Sequence, residues 1–116
     1  MPDLGPQWRF LTVEALQLLS SEPEQTEYEQ AVPNVDITSE LISIWFDQTY
    51  HPEDQQYRGA FSDAELDSLR AFHEIFDGAV DQLPQSQGTI KNWLNTSTWT
   101  EVMKKAESTL AHISRD

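Results

Sequence analysis

Ser62-Asp63-Ala64-Glu65 runs into Leu66, Leu69, Phe72, Phe76, Val80 and Leu83, and no other stretch narrows the choice of fold as much. A serine followed three residues later by glutamate can satisfy two of the amide groups that the start of a helix leaves open, each side chain bonding the other residue's backbone. Asp63 and Glu65 also suit the positive end of the helix dipole. The large apolar residues then recur every three or four positions, which puts them on one face of a helix of about five turns. Pro84 marks its end and Gly78 is its weakest position. A helix with so continuous an apolar face needs other helices to bury it, so this segment predicts a bundle.

The remaining segments fill in that bundle. Ile37, Leu41, Ile44 and Trp45 have helical spacing, with Asp36, Thr38 or Ser39 available as N-cap, and predict a helix ending near Tyr50-His51-Pro52. Ile90, Trp93 and Leu94 predict a shorter turn or helix. Thr98-Trp99-Thr100-Glu101 offers a second capping box ahead of Trp99, Val102, Met103, Ala106, Leu110 and Ile113, the closing helix. Near the start, Phe10, Leu11, Ala15, Leu18 and Leu19 fit a short helix beginning after Thr12, with a strand through Trp8 to Val13 as the alternative. Residues 20–36 hold Glu22, Glu24, Glu27 and Glu29, are interrupted by Pro23 and Pro33, and contain little to bury, so they read as a long acidic loop or linker. The expectation is a mostly α, single-domain bundle of about four helices spanning residues 1–116.

Composition supports one modest core and excludes several chemistries. At 116 residues the chain is long enough for one core, and four Trp, five Phe and three Tyr supply large buried areas per residue. Cysteine is absent, which removes disulfides, thiolate catalysis and cysteine-based zinc sites. No Walker loop, nucleophile elbow or dinucleotide fingerprint occurs, and glycines at 5, 59, 78 and 88 are too dispersed to cradle phosphate. No stretch approaches the roughly 20 apolar residues of a membrane span, and the N-terminus lacks a basic segment followed by an apolar run. A cytoplasmic protein without cofactor, metal or catalytic activity is expected.

Charge points to the class of partner. Seventeen of the twenty acidic residues lie between Asp3 and Asp81, alongside only Arg9, Arg58 and Arg70, whereas the tail from Leu83 onward is nearly balanced. Such a one-sided field favours encounters with basic surfaces and disfavours nucleic acid and anionic membrane. On the predicted long helix Asp67, Glu74 and Asp81 are seven residues apart, and Asp63 and Asp77 each stand four from a member of that row. They form one acidic stripe opposite the apolar one, able to pair with Lys and Arg or simply to stay solvated. Glu22, Glu24, Glu27 and Glu29 are further candidates for contact with a basic protein. Tyr57, between Gln55-Gln56 and Arg58-Gly59, reads as a loop aromatic, either an exposed candidate interface anchor or a ring packed back on its own loop; Trp45 and Trp93 read as core. His73-Glu74-Ile75-Phe76-Asp77 approximates the H-E-x-x-H zinc helix with Asp in place of the second His, but no third ligand is evident, so His73 reads as a residue flanking the apolar stripe.

Trp45-Phe46-Asp47, Tyr50-His51-Pro52, Phe61 to Leu66 and Phe72 to Asp77 together resemble small acidic bacterial immunity proteins, over roughly residues 40–83. Such proteins protect a cell from toxins of contact-dependent inhibition and related polymorphic systems. The resemblance implies a non-catalytic protein, monomeric or in a heterodimer with its partner, that occludes a cognate toxin domain, often a basic nuclease. It transfers no functional residue position by position. A DNA mimic acting on a DNA-binding host protein, and an adaptor domain whose acidity serves only solubility, are the competing expectations.

Overall fold

The computed structural model describes residues 5–32, 36–83 and 90–113. The described chain is helical throughout, without strands: α1 Gly5–Ser20, α2 Glu22–Ala31, α3 Ile37–Ser43 continuing as a π-helical segment Ile44–Thr49, α4 Gln55–Gly59, α5 Asp63–Val80, α6 Ile90–Leu94 and α7 Ser97–Ile113. The expected helical class holds, but with seven α-helices among the described residues in place of about four.

The capping box of α5 forms as its residues predict. The Ser62 amide donates to Glu65 Oε1 at 2.8 Å and the Glu65 amide donates to Ser62 Oγ at 3.1 Å. Leu69, Phe72, Phe76 and Ala79 are buried along one face, and the helix ends at Val80, with Leu83 buried in the turn that follows. Pro84 lies outside the described residues. The partner of α5 is α7, which buries Trp99, Val102, Ala106, Thr109 and Ile113. Its start differs from the expected Thr98 box: the helix opens at Ser97, and Thr96 Oγ1 accepts from the Trp99 amide at 3.1 Å. Thr98 is therefore already inside the first turn, while the threonine two positions earlier does the capping.

α1 is a full helix, longer than the expected short one and with no strand at Trp8–Val13. It packs on α7, and Arg9 ties three parts of the molecule together. The guanidinium donates to Glu65 Oε1 at 2.8 Å and Oε2 at 3.1 Å, to the Ala60 carbonyl at 2.9 Å and to the Ile113 carbonyl at 2.9 Å. A planar fork suits this combination of bidentate carboxylate and carbonyl acceptors, and it also lies over the Phe61 ring.

Residues 22–31 of the expected acidic loop are a helix. Ser21 caps α2 by accepting from the Glu24 amide, Pro23 occupies a first-turn position where its missing N–H costs nothing, and Glu22 and Glu24 sit at the positive end of the dipole. The helix is fixed by Gln25, which is completely buried: its Nε2 donates to the Leu18 and Leu19 carbonyls at 2.9 and 3.2 Å, and its Oε1 accepts from Trp99 Nε1 at 3.0 Å. One amide thus closes the end of α1 and joins α2 to α7.

Asp36 is the residue that caps α3, accepting from the Thr38 and Ser39 amides. In the π segment the Tyr50 amide reaches back to the Trp45 carbonyl at 3.0 Å, one residue beyond the α-helical partner. Trp45 is buried edge-on to Phe72, while Tyr50 stacks on Trp45 and on His73. Buried apolar residues from every helix except α2 join in one cluster, which α2 meets through half-buried Tyr28.

Candidate protein-binding surface

The five carboxylates of the predicted stripe share one side of α5. Asp63, Asp67, Glu74, Asp77 and Asp81 are all exposed, because the opposite side of the helix is occupied by the core contacts to α7 and the π segment. From Asp63 to Asp81 the row runs about 27 Å at 1.5 Å per residue. Arg70 lies within it and approaches Asp67 at 3.4 Å, but both side chains are about two-thirds exposed or more, so water screens the pair and it contributes little. Glu65, on the same helix, is not part of the row. It is buried, and the hydrogen bonds from Arg9, aided by the Ser62 amide, hold its carboxyl below the ordinary value despite the opposing effect of burial.

Beside the row, between α5 and the start of α7, is a shallow depression of about 400 Å³ bordered by Glu74, Ile75, Gln82, Thr98 and Glu101. Ile75 is among the few large apolar side chains left exposed, at 41%. Neither Ile75 nor Glu101 is among the residues expected at this surface, and in the sequence Glu101 reads as the far end of a capping box. Ile75 is a single residue beside a polar row, and Glu101 comes near Glu74 only through the packing of α7 on α5.

The structure separates the four glutamates of α2. Glu22 is exposed in the first turn. Glu24 and Glu27 face a groove of about 720 Å³ between α1, α2 and the π segment, which Glu14 of α1 also borders. Glu29 is half-buried and its Oε2 accepts from the Ile90 amide at 2.9 Å, so it holds the start of α6 in place. Glu29 is thus structural, a role its place among exposed glutamates did not suggest.

Tyr57 is not an exposed loop aromatic. It lies on α4, whose first turn is capped by Asp54, and is completely buried against Trp8, Tyr50 and Phe61. Its polar neighbours in sequence take the solvent side of a short helix and leave the ring facing inward. Burial pushes its phenol well above the usual range. Among the described residues its hydroxyl, the Thr12 hydroxyl and the Trp8 indole N–H are buried without a hydrogen-bond partner.

His73 is part of the aromatic packing. Its Nδ1 accepts from Trp45 Nε1 at 3.2 Å, which places the proton of the neutral ring on Nε2, and its faces meet Tyr50 and Phe46. His51 pairs with Glu53 and His112 with Ser68, so each of the three histidines has a different partner. Among the described residues no group of three or more His, Asp or Glu is arranged to hold a metal ion, and no helix is long and apolar enough to cross a membrane.

Comparison with protein-family models, with curated proteins and with solved structures finds no match to this chain.

Proposed function

We propose that this protein is a non-catalytic inhibitor of the immunity type, acting in the cytoplasm by covering the working surface of a basic protein such as a toxin nuclease domain of contact-dependent inhibition or a related system. The row of five exposed carboxylates along one side of α5, next to the depression holding Ile75, is the observation that carries this reading. A nuclease must cluster Lys and Arg to hold phosphates, and a rigid helix bearing carboxylates at helical intervals offers those side chains a competing anionic surface. Long-range attraction would speed encounter, and Ile75 inside the charged border would supply the desolvated contact that charge alone does not.

The experiment is to capture the partner from a lysate of the source organism on the immobilised protein, with an equally acidic unrelated domain as control, and then to measure association kinetics for wild type and Asp67→Asn/Glu74→Gln. The double variant should associate about tenfold more slowly at low salt, with a flatter dependence on ionic strength. Kinetics identical to wild type would remove the α5 row from the interaction.

A further inference from the structure

We propose that the groove between α1, α2 and the π segment is a second docking site, and that it takes a basic amphipathic α-helix of a partner protein. α1 is apolar on two sides. One side buries Thr12, Ala15, Leu16 and Leu19 in the core, while the other leaves Phe10 62% and Leu11 46% exposed, two of the most exposed large apolar residues in the described chain. A helix that needed only one covered face would carry polar residues at these positions, and an uncovered apolar stripe beside a concave surface is a mark of an interaction site.

The concavity has the dimensions and chemistry of a helix site. Leu11, Leu18, Tyr28 and Ile44 line a volume of about 720 Å³, and a smaller depression at Pro6, Gln7 and Phe10 extends the apolar strip towards the start of α1. From Gln7 to Leu18 the strip follows α1 for about 17 Å, some three turns of a docked helix. Its charged border is of one sign: Glu14 from α1 and Glu24 and Glu27 from α2 are exposed, and no basic residue lines the groove. An apolar floor with acidic edges complements a helix bearing aliphatic residues at i, i+3, i+4 and i+7 flanked by Lys or Arg. The described residues offer no sheet edge to an extended strand. This groove draws on α1, α2 and the π segment, so it can act whether or not the α5 row engages a partner.

The test uses the intact protein and two peptides of about 18 residues with identical leucine and lysine content, one patterned as an amphipathic helix and one scrambled. Binding is measured near physiological ionic strength by calorimetry, with backbone amide shifts to locate it. The patterned peptide should bind at least about tenfold more tightly than the scrambled one and shift amides of α1 and α2. Leu11→Ser, and separately Glu14→Gln/Glu24→Gln/Glu27→Gln, should each weaken it about tenfold, while Glu107→Gln, an exposed carboxylate on α7 outside both surfaces, stays within about twofold of wild type. All the substituted glutamates are exposed, so the triple variant carries the test if Leu11→Ser disturbs folding. Equal binding of the two peptides, no binding of either, or a loss as large in Glu107→Gln would overturn the proposal. So would self-association in sedimentation that Leu11→Ser abolishes, since the occupant would then be a second copy of this chain.

Discussion

Arg9 and Glu65 form the best-connected charged pair at the level of single residues, and the hydrogen bonds from Arg9 to the Glu65 carboxylate make it a pH-sensitive joint. Glu65 has a folded-state pKa below its ordinary value of 4.5, chiefly because Arg9 donates to its carboxylate. A carboxyl depressed in this way contributes stability that is fully present above the unfolded value and is lost as pH falls through the folded one. Glu65→Gln keeps a side chain able to cap Ser62 but removes the charge facing Arg9. It should cost about 2 kcal/mol at neutral pH, and the gap to wild type should shrink once urea titrations are run below pH 4.5. A gap of constant size down to pH 2 would mean that the charge of Glu65 is not what the pair depends on. Tyr57 presents the opposite case, a buried hydroxyl that makes no well-formed hydrogen bond and has the equally unsatisfied Thr12 hydroxyl as its polar neighbour. Tyr57→Phe deletes that oxygen while keeping the ring among Trp8, Tyr50 and Phe61, so it should raise stability by about 1 kcal/mol in the same titrations. A loss would show that the hydroxyl is bonded in solution.

At the scale of elements, α5 is both the best-specified helix and one with an evident flaw. Gly78 lies in its last turns, exposed, with nothing within 4 Å of where a Cβ would stand. Gly78→Ala should therefore stabilise by about 0.5–1 kcal/mol, raising the urea midpoint without changing the slope, because it lowers unfolded-chain entropy and adds no clash. A destabilised variant would indicate that the helix end needs the glycine's freedom. The elements differ in how far they could be read from sequence, for identifiable reasons. α5 and α7 carry one apolar stripe each, so periodicity reveals both the helix and its buried side, and the acidic row follows from the same arithmetic. α1 is obscured because it is apolar on two faces, which blurs the period and hides its first two turns. α2 was masked by its glutamates, although Ser21-Glu22-Pro23-Glu24 repeats the serine-to-glutamate spacing of the α5 cap and places proline where a helix start accepts it. The buried role of Gln25 depends on Trp99, 74 residues away, and the groove depends on three elements meeting. Local pattern holds no record of either.

For the molecule as a whole, the excess of twenty acidic over seven basic residues acts on the fold as well as on any partner. Ordinary surface ion pairs lose strength when salt is added, so a protein held together by them softens. Here the balance runs the other way. Asp63 and Asp67, Glu74 and Asp77, and Asp77 and Asp81 are like-charged neighbours at i,i+3 or i,i+4 on α5, each pair destabilising by about 0.2–0.5 kcal/mol at low salt. Of the attractive pairs, Arg70–Asp67 is exposed and weak, whereas Arg9–Glu65 joins a half-buried guanidinium to a buried carboxylate and is less screened. Sodium chloride should therefore stabilise the protein by about 1 kcal/mol, a rise of roughly 4 °C in Tm, with most of the gain complete by about 0.3 M as the Debye length falls below the spacing of the row. Asp67→Asn/Asp77→Asn should start from a higher Tm in low salt and gain less on addition, since part of the repulsion is already gone. A Tm that climbs linearly to high salt would point to solute exclusion from the surface. A falling Tm would mean that attractive pairs outweigh the repulsion. The predicted early plateau would mean that the same crowded carboxylates proposed to attract a basic protein also strain the unbound fold, so that binding relieves a repulsion already present.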